Sequence, residues 1–277
     1  MNFGQRADLL DLYNDQGFVQ FQEIISTEKD LIDVEEELTA LGKHFFGPQF
    51  NLNLPIEPVS REKISAFYDS LRYSISLTKL STNSKILALV KELGLEHPIG
   101  MNQDNIRMDE PTRDEVLFHW HQDITYLLGS KNSVTLWIPL GKTDLFHGTI
   151  GVKPIKEKKI YDFEVVNPEA IKKTNSLSPK DIVLSESVDI SDEIAIEANR
   201  GDVIAFSQYL LHRSRSNRSN LCRWTIQLRY SDLLEPNFVL SGMPMGDRQT
   251  ILNCQYYGDF KFTLADNPIE SLRAQKF

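Results

Sequence analysis

The chain changes its period at Gly100. Upstream, apolar residues recur at helical spacing; downstream come short β-rich runs punctuated by Gly, Pro and Asn. Such a chain must gather its helices against strands that bury one face, a sandwich or barrel braced by helices. "ADLLDLYNDQG" predicts a helix stopping at Gly17, and "FVQFQEII" a short strand. "STEKDLIDVEEELTALGKHFF" predicts a second helix, capped by Ser26 or Thr27 and carrying acids early, where the dipole favours them. Residues 47–60 hold three prolines and read as a loop, after which helices are expected over 61–78 and 83–94, the last closing on Gly94.

After Gly100, strands are expected in "DNIRMDE", "LFHWHQDITYLL", "SVTLWIPLGKT", "TIGVKPI", "EIAIEANRGDVIAFSQYLLHRS" and "LCRWTIQLRYSD". Residues 153–193 are rich in Lys and Glu, with a helix expected near 168–173, and read as an excursion or lid. The expectation is one domain over 1–277: helical support to residue 100, a β core over 101–235 and a C-terminal extension over 236–277. With 277 residues, 41% of them apolar, the chain can build a core without staples, and Cys222 and Cys254 read as ordinary thiols. A net charge of −9 argues against a nucleic-acid surface, so the basic run "RSRSNRS" at 213–219 is better read as a turn. No basic-then-apolar leader opens the chain and no run approaches the ~20 apolar residues of a membrane span. A cytoplasmic protein is expected. The sequence contains no Gly-rich phosphate loop, no G-x-S-x-G and no HExxH.

Within "FHWHQD" at 118–123, His119, His121 and Asp123 alternate. On a strand, residues i and i+2 lie roughly 6.6 Å apart on one face, while residues 119 and 123 would be about 13 Å apart. One ion can therefore take 119 with 121, or 121 with 123, and needs a third ligand from elsewhere. Of the other histidines, His44 and His97 lie in the helical half and His147 in a turn. His212 is better placed, at the end of an apolar strand that follows the Gly201-Asp202 turn. Two histidines and one carboxylate leave coordination positions open and suit non-haem iron(II). Arg223 follows His212 by 11 positions, and parity puts Arg223, Thr225, Gln227 and Arg229 on one strand face. A buried arginine there needs an anionic partner, which a dicarboxylate co-substrate would supply.

Together, "WHQD" at 120–123, "VTLWIPL" at 134–140, "GDVIAF" at 201–206 and the run from His212 to Arg223 resemble the phytanoyl-CoA dioxygenase family of iron(II)- and 2-oxoglutarate-dependent oxygenases. The resemblance, to which the opening "DLYNDQGFVQFQEIIS" adds, implies a mainly β fold with flanking helices and a double-stranded β-helix (jelly-roll, cupin-like) core. It implies His121, Asp123 and His212 as iron ligands, and Arg223 with Ser214 on the distal carboxylate of 2-oxoglutarate. It also places Trp137 against the co-substrate. The reaction implied uses O2 to decarboxylate 2-oxoglutarate to succinate and CO2 while a small or medium metabolite is hydroxylated or otherwise oxidised. Retention of Asp123 sets the chain apart from family halogenases, which lose that carboxylate. "GTIGVKPIKEKK" departs from the family's usual serine-histidine ending after the tryptophan strand. Beyond these residues, Arg107, one of the alternating residues Gln103, Asn105 and Arg107, is expected to reach the co-substrate or substrate, and His119 to line the substrate cavity. The competing readings are a non-catalytic metal-binding jelly roll and a zinc hydrolase using His119 and His121.

Overall fold

In a computed structural model of the chain, the residues described are 3–53, 60–101, 104–111, 113–125, 127–155, 157–166, 180, 182–185, 187–240, 243, 245–247 and 262–264. Helix α1 (Phe3–Gln16) stops at Gly17, whose φ of 79° reverses the chain into β1 (Phe18–Phe21). Helix α2 (Lys29–Phe46) starts after Glu28, not after the Ser26 or Thr27 cap that the sequence predicts. The Ser26 hydroxyl donates instead to the Glu23 carbonyl, leaving that end of the helix without a side-chain cap. The single helix expected over 61–78 divides into α3 (Arg61–Leu71) and α4 (Ile75–Ser81). Ser74 causes the break: its hydroxyl accepts from Leu77 N at 3.0 Å, and Glu37 of α2 accepts from both Ser74 Oγ and Ser76 N. Helix α5 (Ser84–Glu92) is capped by Asn83 and leaves through Gly94 at φ 94°.

The strands follow as β2 (Pro98–Gly100), β3 (Asn105–Asp109), β4 (Leu127–Leu128), β5 (Val134–Pro139), β6 (Ile150–Lys153) and β7 (Phe163–Val165). After these come β8 (Ile182–Leu184), β9 (Ile194–Ala195), β10 (Val203–Ser207), β11 (Leu211–Ser214) and β12 (Arg223–Asp232). A short helix α6 (Pro236–Leu240) and strands β13 (Gly246–Asp247) and β14 (Phe262–Leu264) complete the described elements. The helix expected near 168–173, Gln103 and most of 236–277 lie outside the described residues.

The larger sheet runs β1-β10-β5-β12-β2, with β3 also on β12, and the smaller runs β11-β6-β9, all antiparallel. Strand alternation sorts the larger sheet's side chains. Leu136, Ile138, Val203, Ala205, Trp224, Ile226 and Leu228 join one core with Leu31, Leu38, Phe67, Leu80 and Ile86 from the helices. Trp137, Ile204 and Phe206 point the other way, onto Ile150 and Val152 of the smaller sheet. At about 1.5–3 kcal/mol for each fully buried apolar side chain, the helix-facing layer anchors the sheet, so part of its inner face can carry polar residues. Arg223, Thr225, Gln227 and Arg229 occupy that inner face of β12, as parity requires.

Gly201 (φ 80°) lets the β10 turn meet the start of α2, where a Cβ would strike the Ser26 backbone. The 153–193 segment is more than an excursion. Its β7 and β8 pair with each other, β14 pairs with β7 in parallel, and Phe163, Val165 and Ile182 pack on Leu211 of β11. Residues 117–125 do not form the expected strand, which survives only as β4: His121 makes an isolated bridge to His212, and Asp123–Thr125 turn as a 3-10 helix before β4. Antiparallel sheets with helices on one side make this a mainly β, jelly-roll fold.

Candidate metal centre

The two histidines are joined through their backbones. His121 N donates to His212 O at 2.9 Å and His212 N to His121 O at 3.0 Å, and the rings lie 4.1 Å apart. Each Nδ1 faces a carbonyl, His119 O at 2.6 Å from His121 and Leu210 O at 2.9 Å from His212. A carbonyl can only accept, so both Nδ1 atoms carry the proton and both Nε2 atoms present lone pairs. Burial pushes both imidazole pKa values down, with the neighbouring ring adding to the effect at His121, so both rings are neutral.

Those lone pairs point at Asp123. Its Oδ1 lies 4.0 Å from His121 Nε2 and 3.7 Å from His212 Nε2, and the three ligand atoms fall within 4.8 Å of one another. The two Nε2–Oδ1 spacings are shorter than about 4.4 Å, twice a metal–ligand bond. The 3-10 turn, not strand alternation, brings Asp123 to this position, because the backbone leaves the strand after His121. Its second oxygen, Oδ2, accepts from Thr135 Oγ1 at 2.6 Å and lies 3.7 Å from Arg229 Nε. Burial raises the Asp123 pKa, but Arg229, the two imidazoles and the Thr135 hydroxyl outweigh it and hold it at about 2. Three converging acceptors, two neutral and one anionic, form a donor set for a divalent cation. Among the described residues no other such cluster occurs.

Gln122, between the two ligands, faces away. Its amide donates to Lys159 O and Tyr209 O and accepts from Tyr161 N, tying the motif to the 153–193 segment. His119 is exposed, and only its carbonyl reaches the site. The cavity-wall position expected for it rests on strand geometry that residues 117–120 do not have. His44 and His97 are exposed, and His147 is held by Asp144 at 2.7 Å.

Around the cluster, one pocket is lined by Arg107, Trp137, Ser214, Arg223, Gln227 and Arg229 together with the three ligands. Arg223 is 5% exposed, and its anionic partner is within the protein: NH2 pairs with Asp109, the residue opposite it on β3, while NH1 donates to Gly148 O. Asp109 also accepts from Arg107 Nε at 2.9 Å. Burial raises the Asp109 pKa, the two guanidiniums outweigh it, and it settles at about 2. Gly148 sits at φ 71° against the Arg215–Asn217 backbone, which fixes the carbonyl that holds Arg223. Arg223 Nε is buried and has no hydrogen-bond partner among the described residues. Sequence reading missed Asp109, and it placed Arg229 and Gln227 on the correct face without a role. Cross-strand pairing supplies the missing signal, and it requires the β3–β12 register.

A sequence model described as phytanoyl-CoA dioxygenase (PhyH) matches residues 44–224. No curated protein matches the chain in sequence. Among solved structures, the epimerase SnoN in complex with Fe3+, alpha ketoglutarate and nogalamycin RO superposes with a TM-score of 0.57 at 12% identity, covering 83% of this chain and 85% of that one. AviO1 from Streptomyces viridochromogenes Tue57 gives 0.54 at 15% identity, covering 87% and 98%. The non-heme alpha ketoglutarate dependent carbocyclase SnoK gives 0.52 at 16% identity, covering 87% and 91%. At these identities the likeness is one of fold. With the family match spanning most of the residues from the helical support to β12, the chain belongs to the phytanoyl-CoA dioxygenase family.

Proposed function

We propose that the protein is an iron(II)- and 2-oxoglutarate-dependent dioxygenase that hydroxylates, or otherwise oxidises, a small or medium metabolite. One observation carries the reading: three acceptor atoms of His121, Asp123 and His212 converge in the pocket where Arg223 presents a buried Nε. Two neutral imidazoles and a carboxylate fit iron(II) and leave positions open for other ligands. Arg107, Arg213, Arg223 and Arg229 line the pocket or its wall and face Asp109, Asp123 and Glu193, which leaves one positive charge before any metal enters. A dication adds two more, so a dianion such as 2-oxoglutarate is the ligand that brings the pocket close to neutrality.

Bound iron(II) would supply the oxygen chemistry, oxidative decarboxylation of 2-oxoglutarate to succinate and CO2 coupled to substrate oxidation. The protein's share is position. Backbone carbonyls fix both ring tautomers, and Thr135 with Arg229 occupies Asp123 Oδ2, so that Oδ1 would be the oxygen that holds the ion. Arg223, with Ser214 and Trp137 in the same pocket, would receive the distal carboxylate, and Arg107 shares the Asp109 carboxylate that pairs with Arg223. Anaerobic titration with iron(II) and 2-oxoglutarate should give a weak visible charge-transfer band, and aerobic incubation should release succinate. No band, or an unchanged band in His121→Ala, refutes the proposal.

A further inference from the structure

A second cavity, of about 370 Å3, adjoins the metal pocket on the helical side. Ile64, Tyr68 and Leu71, spaced four and three residues apart on one face of α3, line it together with Val116 and Phe118. Arg107, Phe118 and Gln227 line both this cavity and the metal pocket, so the two spaces share a wall. That wall is a stacked pair: the Arg107 guanidinium sits 3.8 Å over the Phe118 ring, and Phe118 meets His121 edge-on at 5.6 Å. A molecule in the cavity therefore lies one side chain away from a candidate metal ligand. Its volume falls in the ordinary range for small-molecule sites.

The charges in this cavity are asymmetric. In a chain of net charge −9, it is lined by Arg72, Arg107 and Arg113 against Glu110 alone. Arg107 is occupied by Asp109, and Arg113 by Glu110 at 3.1 Å and by Glu115. Arg72, at the C-terminal end of α3, makes no side-chain hydrogen bond or ion pair among the described residues. We propose that the cavity is the substrate site and takes a molecule with an apolar body and one anionic group, the anion at Arg72 and the body between α3 and Phe118. Calling the ligand a substrate rests on the oxygenase reading; the binding site and its charge preference do not.

The test uses the full chain with 2-oxoglutarate present at saturation, so that Arg223 does not take the probe's carboxylate. Octanoate and octyltrimethylammonium, equal in chain length and opposite in charge, are titrated by calorimetry. Octanoate should bind about tenfold more tightly, the scale of one partly exposed ion pair. Arg72→Glu should reverse the order while leaving the iron charge-transfer band as in the parent protein. Val116→Trp fills the cavity from a residue that is 37% exposed, so the fold tolerates it, and it should abolish octanoate binding with an unchanged melting temperature. Equal binding of the two probes, an order unaltered by Arg72→Glu, or octanoate affinity retained in Val116→Trp overturns the proposal. Discrimination by charge with no charge-transfer band in the parent supports the site and rejects the oxygenase reading.

Discussion

Replacing Asp109 by Asn removes the one carboxylate that Arg107 and Arg223 share, at a residue 1% exposed. The depression of its pKa from 3.8 to about 2 corresponds to about 2 kcal/mol of folded-state stabilisation at neutral pH. Stranding two guanidiniums without their partner raises the cost to about 3–5 kcal/mol. For a chain of this size that is a fall in melting temperature of about 6–15 °C. The pH dependence has a fixed sign. A carboxylate whose folded pKa is lowered contributes fully above its unfolded value of 3.8, and that contribution disappears as pH falls through about 2. Urea unfolding of parent and Asp109→Asn at neutral pH and at two points below the unfolded pKa measures both effects. The stability gap should be widest at neutral pH and narrow on acidification. Added 2-oxoglutarate should raise the melting temperature more in the variant, because its carboxylate takes the place left at Arg223. A neutral-pH gap below about 1 kcal/mol, or one that stays constant with pH, would falsify the shared-carboxylate account.

Other perturbations test other parts of the molecule. Thr135→Val removes the donor to Asp123 Oδ2 and should weaken iron(II) or cobalt(II) binding about tenfold to a hundredfold by competition titration; unchanged affinity counts against Thr135 as the group that orients the carboxylate. Phe67→Ala opens a cavity among Phe45, Phe46, Tyr68 and Trp224 and should cost about 3–5 kcal/mol in urea unfolding, with a smaller loss showing that the helical layer can collapse around the gap. Asn83→Ala deletes the cap of α5 and should cost about 1 kcal/mol, read from the denaturation midpoint. Gly201→Ala places a Cβ against the Ser26 backbone at positive φ and should destabilise more than a Gly→Ala change at exposed Gly100, where nothing lies within 4 Å; equal effects would refute the close-approach argument.

Periodicity located most elements because one face of each is buried. The alternation in "LCRWTIQLRYSD" sends Trp224, Ile226 and Leu228 into the helical core and Arg223, Gln227 and Arg229 into the pocket, and the sequence alone states that parity. It fails where a local hydrogen bond outweighs the pattern. Ser74 breaks a continuous helical period through its bond to Leu77 N, and the pattern of apolar residues carries no trace of that choice. "FHWHQD" misleads for a related reason. Its alternation reads as a strand, but the chain pairs only at His121 and then turns, so Asp123 arrives by a route that strand spacing does not describe and His119 is left outside. The role of Asp109 is legible only once β3 is paired with β12, a contact between residues more than a hundred positions apart.

The two hydrogen bonds between the backbones of His121 and His212 close a loop of about ninety residues by themselves. A metal ion arriving there has no chain to gather, in contrast to small zinc domains, whose folding and metal binding are one event. The fold thereby comes first, and the ion adds stability only by binding it. A chelator should strip the ion and leave a folded, reloadable protein, and different divalent ions should exchange at the rate of ligand substitution, not of unfolding.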